Sequence, residues 1–173
     1  LGFINGMLNL ANMIELGQIQ AGVVVGTEDG RGLVEGTIDT LLNSDGVTRQ
    51  TIKGEFASLT IGSASAAIVV CDTKLSRTGN RLLGAGSLTD SSHHELCAGG
   101  VKSEDSGDDR PRMQTDSESL LHAGIGLATR TWDETRRVLG WRNSTVNKAF
   151  THQVGKAHRK LMYESLGLNS AID

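Results

Sequence analysis

The sequence predicts an α/β protein, and three observations support this fold class. Glycine provides 22 of the 173 residues, which is nearly double the usual share of about 7%. Apolar segments with helical spacing alternate with short β-branched segments. Glycines lie at the ends of many of these segments. Such alternation is typical of helices that cover a sheet, with tight turns between the elements.

The first helix and strand are predicted within residues 3–28. Apolar residues at positions 3, 4, 7, 8, 11 and 14 have the i, i+3, i+4 spacing of a helix. Further apolar residues widen this surface, so we expect the helix to be buried on most sides and to end at Gly17. AGVVVGTE, residues 21–28, predicts a buried strand. A helix followed closely by a strand indicates half of a parallel crossover unit.

The middle of the chain contains shorter elements. GTIDTLLN, residues 36–43, predicts a helix, and SDG, residues 44–46, predicts a turn. SASAAIVVCD, residues 63–72, predicts a second buried strand, and RLLGAGSLTD, residues 81–90, predicts a third. The polar, charged segment 101–112 predicts a surface loop.

A long helix is predicted after this loop. Thr115 and Glu118 have the T-x-x-E spacing of a capping box, which marks the start of a helix. Apolar residues at helical spacing continue to Gly140, which we expect to end the helix.

His152 is the first candidate functional residue. NKAF, residues 147–150, predicts a brief strand that leads to His152, and a helix is predicted between Gly155 and Gly167. The free N–H groups at the start of a helix favour negative charge, so a histidine there could stabilise an oxyanion or an enolate. The spacing alone favours the alternative, a buried structural histidine.

The last predicted helix has a basic side. Lys156, Arg159 and Lys160 follow the i, i+3, i+4 spacing, so we expect them to point outward together. The inward positions are Ala157, Leu161, Met162 and Leu166. A solvated surface is the simplest interpretation of the basic side. The alternative is a docking surface for a phosphate-bearing or acidic partner.

The segment SSHHELC, residues 91–97, resembles a metal site only in composition. It contains four potential ligands: His93, His94, Glu95 and Cys97. Adjacent histidines in an extended chain point to opposite faces, and no second cluster completes a tetrahedral set. The sequence therefore does not favour a metal site.

Three further motifs carry weak signals. GTEDGRG, residues 26–32, is glycine-rich but lacks the spacing of a nucleotide-binding loop. Asn143 lies in an N-x-T-type sequon, which has no meaning without a secretory context. Cys71 and Cys97 form neither a disulfide framework nor a CxxC pair, which suits a reducing compartment. We expect Cys71 to pack as a small hydrophobic residue.

The composition excludes several classes of protein. An apolar content of 38% and a charged content of 21% are typical of a globular protein. No apolar run approaches the roughly 20 residues that span a bilayer. LGFINGMLNL lacks the features of a secretory signal. A net charge of −3 makes general nucleic-acid binding unfavourable. We therefore expect a cytoplasmic protein with no nucleic-acid partner and no membrane span.

Several segments resemble one enzyme family. THQVGKAHRKLMYESLG, residues 151–167, resembles the histidine motif of the ketoacyl-acyl carrier protein synthase III-like enzymes of the thiolase superfamily. LGFINGMLNLANMIELGQIQAGVVVG, residues 1–26, is similar to the helix and strand that follow their nucleophilic cysteine, and LTIGSASAAIVV, residues 59–70, to their small-residue stretch. RLLGAGSLTDSSHHELC, MQTDSESLLHAGIGLATRTW and HQVG are most similar to the branch that joins two acyl chains head to head. Initiating synthases usually carry HQAN, so Gly155 argues against an initiating role.

The resemblance implies a fold and a site. The fold is the αβαβα layered arrangement, incomplete at both ends, in a piece of a longer, homodimeric protein. Residues 1–80 would form the latter part of the first half, and residues 81–173 the beginning of the second. His152 would be the catalytic histidine. The nucleophilic cysteine and a glutamate base would lie before Leu1, and a catalytic asparagine would lie beyond Asp173. Substrate or carrier contacts would come from Gly155, Lys156, Arg159 and Lys160.

The resemblance also implies a reaction. It is a Claisen condensation of acyl thioesters to a 3-ketoacyl product, with acyl-CoA in both substrate positions. No cofactor or metal is expected, since thioesters of coenzyme A or acyl carrier protein are the substrates. Two alternatives stay open: an initiating synthase that uses malonyl-acyl carrier protein, and a non-catalytic thiolase-fold partner subunit. The chain by itself is expected to be inactive, because only His152 of the catalytic set lies within it.

Overall fold

The computed structural model describes residues 2–101, 110–152 and 154–172. The helices described are α1 (Gly2–Glu15), α2 (Arg31–Asn43), α3 (Arg49–Glu55), α4 (Ser117–Leu139) and α5 (Lys156–Leu166). The strands described are β1 (Ala21–Glu28), β2 (Ala64–Cys71), β3 (Cys97–Val101) and β4 (Pro111–Thr115). Within these residues the strands form two sheets, β1–β2 and β3–β4. No helix in this part of the chain is long and apolar enough to cross a membrane.

The described elements fall into two compact units that alternate along the chain. The first unit holds α1, β1, α2 and β2, and the second holds α3, α4 and α5. The division at residues 80 and 81 into two related halves stays a prediction. The centre of the predicted surface loop, residues 102–109, lies outside the described residues. At its end, β4 includes two positions that the sequence placed in the loop, because β4 pairs with β3 there.

The first unit is built on an antiparallel pair of strands. β1 and β2 run in opposite directions, from the pair Ala21–Cys71 to the pair Glu28–Ala64. The parallel crossover that the sequence predicted is therefore wrong for this pair. A helix followed by a strand does not determine which strand becomes the neighbour, and here β2 returns antiparallel after α2.

Helix α1 packs closely against β1 through glycines. A Cβ added at Gly22 would lie 2.6 Å from Leu10 Cδ2, and one added at Gly6 would lie 3.0 Å from Val24 Cγ1. The absence of side chains at these positions lets the helix and the strand approach. Gly22 of β1 and Gly6 of α1 therefore determine how closely the helix approaches the strand.

The predicted burial of α1, β1 and β2 is wrong for the described chain. Leu16 of the first helical segment is 72% exposed, and Ile4 is 49% exposed. In β1 the burial alternates with a period of two, so that Val23 and Val25 remain 59% and 63% exposed. Successive side chains of a strand point to opposite faces, and α1 covers only one of them.

The glycine-rich loop before α2 has a structural role. Gly30 N donates a hydrogen bond to Ser63 Oγ (3.1 Å), and Ser63 Oγ donates to Asp29 Oδ1 (3.1 Å). The backbone N–H of Arg31 also donates to Asp29 Oδ1, and this bond is the main cause that lowers the pKa of Asp29 below its usual value. A Cβ at Gly30 would lie 2.5 Å from Ile61 Cγ2. The loop therefore joins the start of α2 to the segment before β2.

The predicted helix around residues 36–43 is confirmed and begins earlier, at Arg31. The predicted turn follows it, and Gly46 has a φ of 74°. The sequence pattern does not predict α3, because seven residues are too few to show helical periodicity. Its start is marked by Thr48, whose hydroxyl accepts a hydrogen bond from Thr51 N (3.2 Å).

The N-terminal cap of α4 is one residue later than predicted. Asp116, rather than Thr115, caps the helix, and its carboxylate accepts a hydrogen bond from Ser119 N (3.1 Å). This backbone hydrogen bond is the main cause that lowers the pKa of Asp116. Thr115 is only 8% exposed and ends β4 instead. Because β4 extends to Thr115, Asp116 is the first residue whose side chain can accept a hydrogen bond from the backbone of α4.

The predicted strands at residues 81–90 and 147–150 are not formed in the described chain. A strand requires a hydrogen-bonded neighbour, and neither segment has one among these residues. Segment 84–86 lies against α4 instead. A Cβ at Gly84 would lie 2.6 Å from Leu139 Cδ2, and one at Gly86 would lie 2.0 Å from Thr135 Oγ1.

The close contact between segment 84–86 and α4 leads to a testable prediction. Gly86→Ala should destabilise the whole protein by about 1–3 kcal/mol, because the added methyl group overlaps a threonine whose hydroxyl is bound to the Thr131 carbonyl (2.7 Å). Urea unfolding would measure the loss. Gly124→Ala is the matched control, since nothing lies within 4 Å of its Cβ and alanine favours a helix. Equal stability of the two variants would contradict the close crossing.

Candidate active site

His152 lies in an exposed position before α5, four residues ahead of Lys156. The side chain is therefore not the buried structural histidine that the spacing alone favoured. The next residue, Gln153, lies outside the described residues. The position of His152 depends on the segment that precedes it, residues 143–151. Two side chains fix this segment.

The first anchor is Tyr163 of α5. Its side chain is 1% exposed, and its hydroxyl donates a hydrogen bond to the carbonyl of Ala149 (3.1 Å). The guanidinium of Arg159 lies over its ring, 5.6 Å from the centroid. A buried hydroxyl needs a partner, and here the partner is the backbone three residues before His152. Helix α5 thus holds the chain that leads to the candidate catalytic residue.

The second anchor is Asn143. Trp132 Nε1 of α4 donates to Asn143 Oδ1 (3.0 Å), and Asn143 Nδ2 donates to the carbonyls of Leu166 (2.9 Å) and Gly167 (2.8 Å). One amide side chain therefore joins α4 to the end of α5. Asn143 therefore has a structural role, because both its amide oxygen and its amide nitrogen form hydrogen bonds within the protein.

Sequence reasoning missed both anchors. Tyr163 is the only tyrosine of the chain, and its spacing of four from Arg159 was the available signal. The sequence around Asn143 shows only a sequon. Neither residue type carries chemistry by itself, so only the structure reveals that they position His152.

The basic side of α5 is smaller than predicted. Lys156 and Lys160 are exposed, but Arg159 is half-buried against Tyr163. Arg159 Nη2 also donates to the carbonyl of Ser170 (3.3 Å). The prediction that Arg159 points outward with the lysines is wrong, because its aliphatic stem and planar charge pack on the ring.

The inward side of α5 is largely as predicted. Leu161, Met162 and Leu166 are partly buried, whereas Ala157 is exposed rather than inward. The helix ends at Gly167, with a φ of 63°. Gly17 and Gly140 also adopt positive φ, 69° and 66°, and confirm the other two predicted helix ends.

Gly155 immediately precedes α5 and has a φ of 165°, an extended backbone that any residue adopts. Nothing lies within 4 Å of a Cβ built at this position. Neither packing nor backbone geometry requires glycine here. A larger residue would therefore fit without strain, and the difference from HQAN is a difference in chemistry rather than in fold.

The segment with His93, His94, Glu95 and Cys97 forms a short 3₁₀ turn and the start of β3. His94 Nδ1 lies 3.1 Å from the carbonyl of Ser91 and 3.4 Å from Glu95 Oε2. Cys97 is exposed at the start of β3. Across residues 2–101, 110–152 and 154–172, no three such side chains are grouped closely enough to hold a metal ion.

A cleft of about 330 Å³ lies in the second unit. Its lining residues are Lys53, Phe56, Ser117, Glu118, Leu121 and His158. Lys53 Nζ and Glu118 Oε2 lie 3.4 Å apart, and both side chains are largely exposed. His152 is not part of the lining, so this cleft is separate from the candidate catalytic side chain.

Asp90 stabilises the loop ahead of the histidine pair. Its Oδ1 accepts hydrogen bonds from Ser92 Oγ (2.5 Å) and Ser92 N (3.1 Å), and its Oδ2 accepts one from Arg130 Nη2 of α4 (2.9 Å). These hydrogen bonds lower the pKa of Asp90 from 3.8 to about 2, and the bond from Ser92 Oγ makes the largest contribution. The ionised carboxylate is therefore favoured in the folded protein.

Asp90→Asn is expected to lower stability at neutral pH. A depressed pKa means that the stabilisation is present above the unfolded value of 3.8 and is lost as the pH falls to about 2. The difference in free energy of unfolding between wild type and variant should therefore disappear over this pH range. Urea unfolding at several pH values would measure it. Asp45→Asn in an exposed turn is the control. A gap that does not change with pH would contradict this account.

Comparisons with known proteins show which enzymes the chain resembles. No family model matches the chain. It is 39% identical over 171 residues to the acyl-CoA:acyl-CoA alkyltransferase of Shewanella oneidensis, covering 97% of the chain and 48% of that protein. The enzyme of the same name from Xanthomonas campestris is 32% identical over 99% of the chain and 48% of its own length. The crystal structure of a Xanthomonas campestris OleA variant with bound lauric acid and lauroyl-CoA superposes with a TM-score of 0.84 and 32% identity, covering 99% of the chain and 48% of that chain. The chain is similar to these thiolase-superfamily enzymes over nearly all of its own length and has their fold.

The chain also resembles a second enzyme of known structure. The 3-oxoacyl-(acyl carrier protein) synthase III, FabH, from Xanthomonas oryzae superposes with a TM-score of 0.80 at 32% identity, again over 99% of the chain and 48% of that chain. The predicted fold class and the predicted synthase III-like resemblance are confirmed. The chain spans about half the length of the curated relatives it matches.

Proposed function

We propose that the whole protein joins two acyl-CoA molecules head to head to form a 3-ketoacyl product. The observation that carries this proposal is the exposed His152, held before α5 in a chain that is 39% identical to an acyl-CoA:acyl-CoA alkyltransferase. Solved variants of the Xanthomonas campestris OleA replace a cysteine, a glutamate or a histidine. These are the residue types that the resemblance assigns to the site.

The first proposed step loads an acyl group onto the cysteine that the resemblance places immediately before Leu1. This position adjoins the first turn of α1, which contains no acidic residue. The helix dipole there favours a thiolate. The thiolate attacks the thioester carbonyl, the bond from carbon to the coenzyme A sulfur breaks, and coenzyme A leaves as its thiol after taking up a proton.

The second proposed step forms the carbon–carbon bond. The glutamate that the resemblance places upstream removes an α-proton from a second acyl-CoA, and His152 donates a hydrogen bond to the enolate oxygen. The carbanion attacks the carbonyl of the acyl-enzyme, and the bond to the cysteine sulfur breaks. The product is a 3-ketoacyl-CoA, and the cysteine is free again. An asparagine beyond Asp173 would supply a second donor.

The two exposed lysines of α5 suit the charge of the substrate. We propose that Lys156 and Lys160 contact the phosphates of coenzyme A or an acidic acyl carrier protein, with the backbone at Gly155 beside them. Lys160 lies 3.8 Å from Glu164 in an exposed ion pair, which is weak enough to exchange partners. Arg159 would act indirectly, because it packs on the tyrosine that positions the histidine segment.

The proposal also includes the assembly and the conditions of the reaction. A homodimer and a cytoplasmic location follow from the resemblance, and no cofactor or metal is needed for the two steps. In the described chain β2 pairs only with β1, and Val69 of β2 is 67% exposed. This unpaired edge is suited to further pairing.

Incubation of the whole protein with a single acyl-CoA tests the function. The expected result is release of coenzyme A thiol together with a 3-ketoacyl product that is branched at its second carbon and contains twice as many acyl carbons as the substrate, detected by mass spectrometry. Thiol release without such a product would contradict head-to-head condensation.

An initiating synthase is the second candidate function, favoured by the similarity to FabH. It would form product only when malonyl-acyl carrier protein is supplied, with release of carbon dioxide. A non-catalytic partner subunit would form no product with either set of substrates. The identity of the residue before Leu1 in the whole protein distinguishes an enzyme from a non-catalytic partner subunit, since a residue other than cysteine there excludes acyl loading.

A further inference from the structure

Phe150 is the most exposed large apolar side chain in the described residues, at 89%. It lies two residues before His152. An apolar ring in water is unfavourable, and exposed apolar groups beside a functional residue often mark a contact with a ligand. The high exposure of the Phe150 side chain therefore needs a physical explanation.

The burial of this segment alternates with a period of two. Ala149 and Thr151 are half-buried, whereas Phe150 and His152 are exposed. The hydroxyl oxygen of Thr151 is itself buried. This alternation is typical of an extended chain, in which residues two apart share a face and lie about 7 Å from each other. The phenyl ring and the imidazole therefore belong to the same face.

The exposure of Phe150 does not result from a loose segment. The carbonyl of the preceding residue, Ala149, accepts the hydrogen bond from Tyr163, whose side chain is 1% exposed. This hydrogen bond holds the backbone next to Phe150, while the phenyl ring stays exposed. The ring is thus held in place next to the histidine.

We infer that Phe150 contacts the alkyl chain of the acyl group whose oxygen His152 binds, and that it determines selectivity for chain length. This inference rests on the proposed function. A thioester with its oxygen at His152 has its alkyl chain within reach of the next side chain on the same face. A butanoyl chain is shorter than the spacing between the two side chains, whereas a dodecanoyl chain extends past it. Only the longer chain gains the apolar contact.

The test compares dodecanoyl-CoA with butanoyl-CoA in the whole protein. Phe150→Ala should lower kcat/KM for dodecanoyl-CoA roughly tenfold or more and leave the value for butanoyl-CoA nearly unchanged. Phe150→Leu, which keeps an apolar side chain, should recover most of the loss. Phe56→Ala is the matched control, because this phenylalanine is also exposed, at 62%, and lies at the end of α3.

Three outcomes would overturn the inference. One is an unchanged ratio of the two kcat/KM values in Phe150→Ala. Another is an equal loss for both thioesters accompanied by a lower unfolding midpoint, which would show that the ring packs against another part of the protein. If the wild-type protein condenses neither thioester, the proposed function fails. In that case, binding of dodecanoyl-CoA that Phe150→Ala does not weaken would overturn this inference separately.

Discussion

Replacing His152 with alanine is expected to lower kcat of the condensation by about 100- to 1000-fold, the usual cost of losing one donor to a developing oxyanion. The reason is that the imidazole is proposed to bind the enolate oxygen only as charge develops there. KM should change little, because the interaction is made mainly in the transition state. Steady-state formation of the 3-ketoacyl product would measure both constants.

A second measurement separates the two proposed steps in the His152→Ala variant. Loading of the cysteine precedes enolate formation, so the rapid release of coenzyme A thiol on mixing should persist when product formation falls. His94→Ala is the matched control, since this histidine is 83% exposed in a separate 3₁₀ turn. An unchanged kcat in His152→Ala, or an equal loss in His94→Ala, would exclude the assigned role.

The sequence predicts the elements whose signals are local. Each of the three predicted helix ends is a glycine with positive φ, and the short β-branched segments became β1 and β2. Pairing and burial are not local properties. Every antiparallel partner of a β1 residue lies more than thirty-five residues away in the chain, and a period-two pattern does not show which face is covered. The segments at 81–90 and 147–150 have strand-like composition but no partner in the described chain.

The candidate site shows the same limit. His152 was found through its motif, and the exposed lysines through their helical spacing. The pattern of basic residues alone does not reveal the role of Arg159, because a basic residue at a polar helical position has the same pattern whether it faces water or packs on a ring. Tyr163 and Asn143 act through hydrogen bonds to backbone carbonyls at least fourteen residues away. Such partners leave no periodic signal in a single sequence.

The other large expected effect is on stability. Asn143→Leu should destabilise the protein by about 3 kcal/mol, at about 1 kcal/mol for each of three lost hydrogen bonds. The indole of Trp132 and the carbonyls of Leu166 and Gly167 would lose their partner. The change in the urea midpoint, with faster hydrogen exchange in α5, would measure the loss. We also expect a lower kcat, because the segment that holds His152 begins at this anchor.

A matched control and a double-mutant cycle isolate the role of Asn143. Asn147→Leu changes an exposed asparagine of the same segment and should alter stability by no more than about 0.5 kcal/mol. Trp132→Phe removes the indole donor together with part of a ring that contacts Trp141. The part of its effect that comes from the lost hydrogen bond should not add to the effect of Asn143→Leu. Full additivity would mean that Trp132 and Asn143 act independently. The hydrogen-bonded link between α4 and α5 would then not be what holds the histidine segment in place.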